Sequence, residues 1–266
     1  MDADRIALQT KLEALFSKNQ LIPRIKAEFK DTEIVEYMTA KKIDPDFGIA
    51  LMTQMVLHKR ASLPTLVGIL QHHFATAQEC VDAIKAAAEA DLVDWNGREF
   101  VIVYDITPDV QEDLDRFQYP LPMVVPPRHI RDNWGSGYLM GNSSVILKDN
   151  HHDDDVCLDH LNRVNQFRFA INNRVATMVK NTWRNLDKPK EGETREDFMK
   201  RVKAFEKYDR TVKDVMKLLQ DCSSDFYLTH RYDKRGRIYC QGYHINYQGA
   251  PWNKAVIELA DKEYVT

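Results

Sequence analysis

The sequence predicts a mainly α fold of the α+β class, and three observations predict it. Apolar residues recur at helical spacing through the first 60 positions and again between 156 and 219. Short β-rich runs flank turn residues, the clearest being Leu92-Val93-Asp94-Trp95 and Phe100-Val101-Ile102-Val103-Tyr104 around Asn96-Gly97. Pro and Gly punctuate the middle of the chain, where regular structure must stop.

Ile6, Leu8, Leu12, Leu15 and Phe16 mark a first helix, and Phe29, Ile34, Tyr37 and Met38 mark helix further on. Asp44-Pro45-Asp46-Phe47-Gly48 breaks the pattern before the apolar stretch from Ile49 to Leu57. From 62 to 106 the order is helix (Leu63 to His72), a second helix (Gln78 to Ala90) that Thr76 caps, then the Asn-Gly hairpin. Helix, helix, hairpin is the layout of a winged helix, a DNA-reading unit. The second helix carries Glu79, Asp82 and Glu89 against one Lys, so its charge opposes phosphates; a packing role and a DNA-reading role both stand at this point.

The prolines between Tyr119 and Pro127 force an extended path. Trp134-Gly135-Ser136-Gly137-Tyr138 allows positive φ or close backbone approach beside two aromatics. Leu161, Val164, Phe167, Ile171, Val175, Met178 and Trp183 predict one long amphipathic helix over 156–186. Phe198, Val202, Phe205, Val212, Val215 and Leu219 predict another over 194–219. Residues 225–230 read as a strand, and Pro251 opens a final short helix. A boundary near 106 divides a helical N-terminal region (1–106) from 107–266.

Of the 266 residues, 44% are hydrophobic and 29% charged, an ordinary globular balance that excludes wholesale disorder. No apolar run approaches the roughly 20 residues of a membrane helix, and Met1-Asp2-Ala3-Asp4 lacks the layout of a signal peptide. Four scattered cysteines (Cys80, Cys157, Cys222, Cys240) form no CxxC pair and fit a reducing cytoplasm. The net charge of −3 conceals a polarity: residues 160–240 hold 19 Lys and Arg against 11 Asp and Glu, and the remainder holds 18 against 29. A solvated helix face and a phosphate-binding surface both account for the basic stretch.

The densest cluster is Arg231-Tyr232-Asp233-Lys234-Arg235-Gly236-Arg237-Ile238-Tyr239. Gly236 permits a tight turn or close approach to a ligand, while Arg235 and Arg237 offer planar forks for phosphate. Asp233 is placed to hold one fork by a bidentate pair, and Tyr232 and Tyr239 are candidates for stacking on bases or sugars. A basic surface hairpin turn explains the same residues. His151-His152-Asp153-Asp154-Asp155, with Asp159 and His160, has metal-ligand types, but consecutive residues cannot converge on one ion, and a solvated acidic loop before a helix N-terminus fits better. His72-His73 has no partner at metal spacing, and no Walker loop, HExxH or Gly-x-Ser-x-Gly occurs.

Asp233-Lys234-Arg235-Gly236-Arg237-Ile238-Tyr239 resembles the Asp-x-x-Gly-Arg-x-Tyr motif of the single-subunit RNA polymerases of bacteriophages and mitochondria. His244-Ile245-Asn246-Tyr247-Gln248-Gly249, with a helix ending Ile257-Glu258-Leu259-Ala260, is similar to the family's segment just downstream of that motif. Val124-Val125-Pro126-Pro127 and Trp134-Gly135-Ser136-Gly137-Tyr138-Leu139 resemble segments upstream of it, as does the helix bearing Asn165, Ala170, Ile171 and Asn172. The resemblance covers about residues 100–266. It implies the N-terminal-domain part of a right-hand polymerase, with a partial palm or cleft segment at the C-terminus. It assigns template and RNA–DNA hybrid contacts to Arg237 together with Arg235, positioning to Asp233, close backbone approach to Gly236, stacking or sugar contact to Tyr239, and a backbone or nucleotide contact to Lys254.

Polymerases of this family carry two Mg²⁺-binding aspartates, and a Lys and a Tyr for the incoming nucleotide, well downstream of the motif. Only 29 residues lie beyond Arg237 here, with Asp261 as their one Asp. The expectation is therefore the smaller, N-terminal subunit of a two-chain bacteriophage RNA polymerase, which the Met1 start favours over an expressed fragment. It would be inactive alone. A larger chain would bind Mg²⁺ and ribonucleoside triphosphates, and the pair would work without a membrane in the cytoplasm of an infected bacterial cell. The final helix would then end at an interface with that chain, leaving Val256, Ile257 and Leu259 as an apolar end. The competing expectation is a non-catalytic DNA-binding transcription regulator built on the winged-helix-like unit.

Overall fold

The computed structural model describes residues 3–148 and 150–262; Met1 lies outside them. Contacts divide the chain into two units, Ser17–Gln118 and a second comprising Met1–Phe16 with Tyr119–Thr266. The division thus differs from the boundary expected near 106. Helix α1 (Ala3–Leu15) belongs with the C-terminal unit because its buried Gln9 and Glu13 serve backbone there: Gln9 Oε1 accepts from Val124 N–H at 2.8 Å, and Glu13 accepts from Leu139 and Met140 N–H at 2.8 and 2.7 Å.

The unit Ser17–Gln118 contains α2 (Lys18–Glu28), α3 (Thr32–Ala40), α4 (Pro45–His58), β1 (Arg60–Ala61), α5 (Leu63–Leu70), a 3₁₀ turn (Gln71–His73), α6 (Ala77–Glu89), β2 (Asp94–Trp95), β3 (Phe100–Val101) and α7 (Pro108–Phe117). The residues expected to interrupt a helix at 44–48 instead start one. Asp44 caps α4 by accepting from Asp46 N–H, and Pro45 occupies the first turn, where its missing N–H costs nothing. Helix α4 buries Phe47, Leu51, Met55 and Val56 against Leu66, Leu70, Ile84 and Phe100, which is the core of this unit. The helix–helix–hairpin order of 62–106 is present, and β1 adds a third antiparallel strand in the order β1-β3-β2.

In the other unit, the described residues of 119–157 contain no helix, the prolines at 120–127 keeping the first part extended, and they touch the sheets through single bridges Met123↔Tyr227 and Ile146↔Tyr232. Then come α8 (Leu158–Asn165), β4 (Arg168–Ile171), α9 (Asn173–Met178), a 3₁₀ turn (Arg184–Leu186), α10 (Arg195–Cys222), β5 (Phe226–Tyr227), β6 (His230–Tyr232), β7 (Ile238–Cys240), α11 (Pro251–Val256) and β8 (Ile257–Leu259).

Two expectations are corrected here. The single long helix over 156–186 is broken by β4, the central strand of the sheet β5-β4-β8, and Asn172 caps a new short helix by accepting from Val175 N–H. The strand wins because both its edges find backbone partners, and Arg168 gains Asp225 and Asp261. The helix expected to run through Ile257-Glu258-Leu259 likewise stops at Val256, and those residues pair with β4 instead. Val256 and Ile257 are therefore buried within this chain, and only Leu259, 55% exposed, remains of the expected apolar end. Helix α10 forms as expected with Thr194 as its cap, yet only Thr211 to Leu219 of its inward face is buried.

Candidate nucleic-acid interface

The Asp233–Tyr239 cluster folds as one β-hairpin. Strands β6 and β7 pair His230 with Cys240, Arg231 with Tyr239, and Tyr232 with Ile238. Directly opposed residues share a face, so the hairpin is two-sided. Tyr232 and Ile238 pack with Ile130, Val145, Ile146 and Leu161, and the Tyr232 hydroxyl donates to the Cys157 carbonyl at 2.9 Å. Tyr232 is thus a buried anchor, which corrects its reading as a stacking residue. Arg231 and Tyr239 lie on the opposite face.

The turn is built on Asp233. Its backbone N–H donates to Arg237 O at 2.9 Å, and its own carbonyl accepts from Gly236 N–H at 3.0 Å. Closing that loop requires φ +76° at Gly236, in the left-handed region where a side chain is strained. A Cβ at Gly236 would meet nothing within 4 Å, so the glycine is there for its backbone angle, with open space around it. One carboxylate oxygen of Asp233 accepts from the backbone N–H of Arg235 and Arg237 at 2.9 and 3.0 Å. The other accepts from Nε of Arg235 at 3.2 Å and Nε of Arg237 at 2.8 Å. The Tyr239 hydroxyl lies 3.5 Å from that second oxygen, and its ring lies 5.6 Å below the Arg237 guanidinium.

Asp233 is thereby the hub of the turn, 16% exposed against 62% for Arg235 and 52% for Arg237. Burial pushes its carboxyl up, but the Arg237 backbone N–H, the Arg237 guanidinium and the Tyr239 hydroxyl outweigh this and hold it below the usual carboxylate range. The hydrogen bond to Asp233 in turn raises Arg237 above the ordinary guanidinium value. One carboxylate orients two forks and neutralises only one charge. The turn stays cationic, with N–H donors directed outward. Beside it opens a cavity of about 470 Å³ lined by Tyr232, Asp233, Lys234 and Gly236 on one side and His152, Cys157 and His160 on the other.

The base of the hairpin is fixed by groups to which the sequence reading gave no individual role. The His230 ring lies 2.8 Å from Asn165 Oδ1 at one nitrogen and 2.9 Å from the Tyr247 hydroxyl at the other. Gln248 accepts from Cys240 N–H at 2.8 Å and donates to the Ile238 carbonyl at 3.2 Å, bracing β7 like a further strand. Gly242 passes so near the Ile245 carbonyl that a Cβ would collide with its oxygen. Upstream, Gly137 has φ +82° and a Cβ there would sit 3.2 Å from Pro127 and 3.3 Å from Thr229, which is the close approach expected of that segment.

Asp233, Arg235, Gly236, Arg237 and Tyr239 are brought together; Lys254 is not. It is exposed on α11, which Trp252 anchors through Nε1–H to Val179 O at 2.9 Å, and it shares no hydrogen bond or ion pair with the hairpin among the described residues. Among the described residues no group of three or more His, Cys, Asp or Glu is placed to hold a metal ion. Asp261 is bound to Arg168, while His151 and His152 pair with Asp153 and Asp154. Among those residues, no helix is long and apolar enough to cross a membrane.

A cationic turn whose two guanidinium forks share one carboxylate, one of them over an aromatic ring, is chemistry suited to a phosphate-rich polymer. No protein-family model matches the chain. It is related in sequence to a protein named probable DNA-directed RNA polymerase from Gelasinospora sp. (strain G114), with 29% identity over 167 residues. The alignment takes in 57% of this chain and 18% of that protein, so the chain spans less than a fifth of its relative's length.

Proposed function

We propose that this chain is the smaller, N-terminal subunit of a two-chain, single-subunit-type bacteriophage DNA-directed RNA polymerase, and that its Asp233–Tyr239 hairpin grips the template strand and the RNA–DNA hybrid. The observation that carries the reading is the Asp233 hub: a carboxylate that holds Arg235 and Arg237 at the exposed turn, with Arg237 over the Tyr239 ring. The sequence relationship to a named polymerase supports it. On this reading Arg237 and Arg235 neutralise backbone phosphates, Tyr239 stacks beneath Arg237 and meets a sugar or base, and Asp233 keeps both forks from collapsing onto the surface. Lys254 adds a peripheral phosphate contact. The larger chain carries the Mg²⁺-binding aspartates and receives the ribonucleoside triphosphates, and the pair works in the cytoplasm of the infected cell. No chemical step is assigned to residues of this chain; its contribution is to position the strands.

The regulator reading has less support. The first turn of α6 presents Glu79, and Asp82 comes next on its exposed surface, so the helix that would enter a groove repels phosphate. Co-purification separates the two. The expected result is a larger polypeptide recovered with this chain, and RNA made from a single-stranded template only by the pair. A chain that recovers no partner and binds one duplex sequence tightly by itself contradicts the polymerase reading.

A further inference from the structure

Arg231 is unlike the other cations of the hairpin. It pairs with Tyr239 across the ladder and so projects from the face that carries Asp233 and Tyr239. Arg235 and Arg237 each hold Asp233, whereas Arg231 has no carboxylate within 4.0 Å among the described residues. One terminal nitrogen donates to the Ser143 hydroxyl, and its buried Nε has no hydrogen-bond partner. Glu13, which reaches the 138–143 segment from α1, is committed to the Leu139 and Met140 N–H groups and to Gln9. Burial opposes the charge on Arg231, with Tyr138 acting weakly the other way. A guanidinium stays charged at any physiological pH, so its burial without a counter-ion costs stability that an anionic ligand would return.

We propose that Arg231 and Ser143 form a phosphate-binding notch at the base of the hairpin, and that it takes a backbone phosphate of the strand gripped by Arg237. Arg231 and Ser143 are each only partly buried, and a guanidinium edge beside a serine hydroxyl is a donor set suited to a phosphate oxygen pair. The notch lies on the Tyr239 face, so a strand stacked there passes both. This inference rests on the nucleic-acid role proposed above for the hairpin, but its test involves neither the larger subunit nor RNA synthesis, so either reading fails without the other.

The test is thermal unfolding of the full chain in chloride and in inorganic phosphate at matched ionic strength, for wild type, Arg231→Met and Ser143→Ala. In chloride Arg231→Met is expected to unfold at or above the wild-type midpoint, since it removes an unpaired buried cation; a purely structural arginine would give a lower one. Phosphate is expected to raise the wild-type midpoint more than that of Arg231→Met, with Ser143→Ala between; the general salt effect is common to all three. Single-stranded DNA binding to Arg231→Met is expected to show a log–log salt slope shallower by about 0.7, one phosphate contact fewer. Equal phosphate shifts in wild type and Arg231→Met overturn the proposal. So does an unchanged salt slope, which would give the notch to free phosphate or to a carboxylate on a partner protein. If Arg231→Met does not fold, Arg231→Lys keeps the charge without the fork: a reduced phosphate shift supports the notch, and a full one overturns it.

Discussion

Two hairpins in this chain close by the same local physics and present different chemistry. In the first, β2–β3, Asn96 Oδ1 accepts from the backbone N–H of Arg98 and Glu99 at 3.0 and 2.9 Å, and Gly97 supplies φ +91°. In the second, β6–β7, Asp233 Oδ1 accepts from two backbone N–H groups in the same way, and Gly236 supplies φ +76°. Asn96 has an amide where Asp233 has a second carboxylate oxygen. That oxygen holds two guanidinium groups. A turn needs only a short side-chain acceptor and a glycine; a charged acceptor turns it into a scaffold for arginines. The surroundings reinforce the contrast, since the first hairpin comes directly after the acidic α6 and the second sits on the buried pair His230 and Asn165 with the Tyr247 hydroxyl beside them.

The largest expected effect breaks the contrast at its charged end. Arg237→Ala is expected to leave the two-chain complex intact and to lower transcript length and yield about tenfold, in line with losing a charge-assisted contact. Asp233→Asn makes the second hairpin resemble the first: the turn persists, the forks are released, and RNA yield falls in the same direction. Transcription assays on a single-stranded template check both, and unchanged length and yield in Arg237→Ala would remove the hairpin from the cleft.

The next effect lies in pH. Burial, with some repulsion from His160, pushes the His230 pKa down to about 4 from an ordinary 6.5. Above pH 6.5 the ring is neutral folded or unfolded. Between 6.5 and 4 only the unfolded chain takes up the proton, so this contribution to stability falls as pH falls. The expected loss is about 2 kcal/mol between pH 7 and pH 5. Urea unfolding measures it, and His230→Gln is expected to flatten the dependence. An equally steep dependence in that variant would place the titration elsewhere.

Smaller still are the glycines. Gly236→Ala and Gly97→Ala each force a side chain into positive φ with open space around it, and each is expected to cost about 1 kcal/mol in chemical denaturation. Similar losses would show that the backbone part of the two turns is shared. The smallest effect is Asn96→Asp, which adds charge without arginines positioned to use it; oligonucleotide binding is expected to stay unchanged.

Much of this contrast is legible in the residues, and its limits have physical causes. The Thr76 cap and both hairpin turns depend on neighbours a few positions away, so local spacing reveals them. The Asp233–Arg237 pairing is legible for the same reason. Strand β4 is not: its apolar residues also satisfy helical spacing, and only partners at 226–227 and 257–259 decide the outcome. The burial of Tyr232 escapes the sequence because the face a hairpin residue takes is set by the packing beneath it. Arg231 reads as one more surface cation, since burial without a counter-ion is invisible until Ser143 and Glu13 are placed.

The most direct measurement compares the two hairpins inside the working assembly. A photo-crosslinking residue would be placed at Tyr239 and, separately, at Arg98, in a two-chain complex stalled on a single-stranded template with labelled RNA. The expected result is a crosslink from position 239 to template or RNA and none from position 98. No crosslink from 239, or equal crosslinking from both, would contradict the assignment of the Asp233 hairpin to the hybrid.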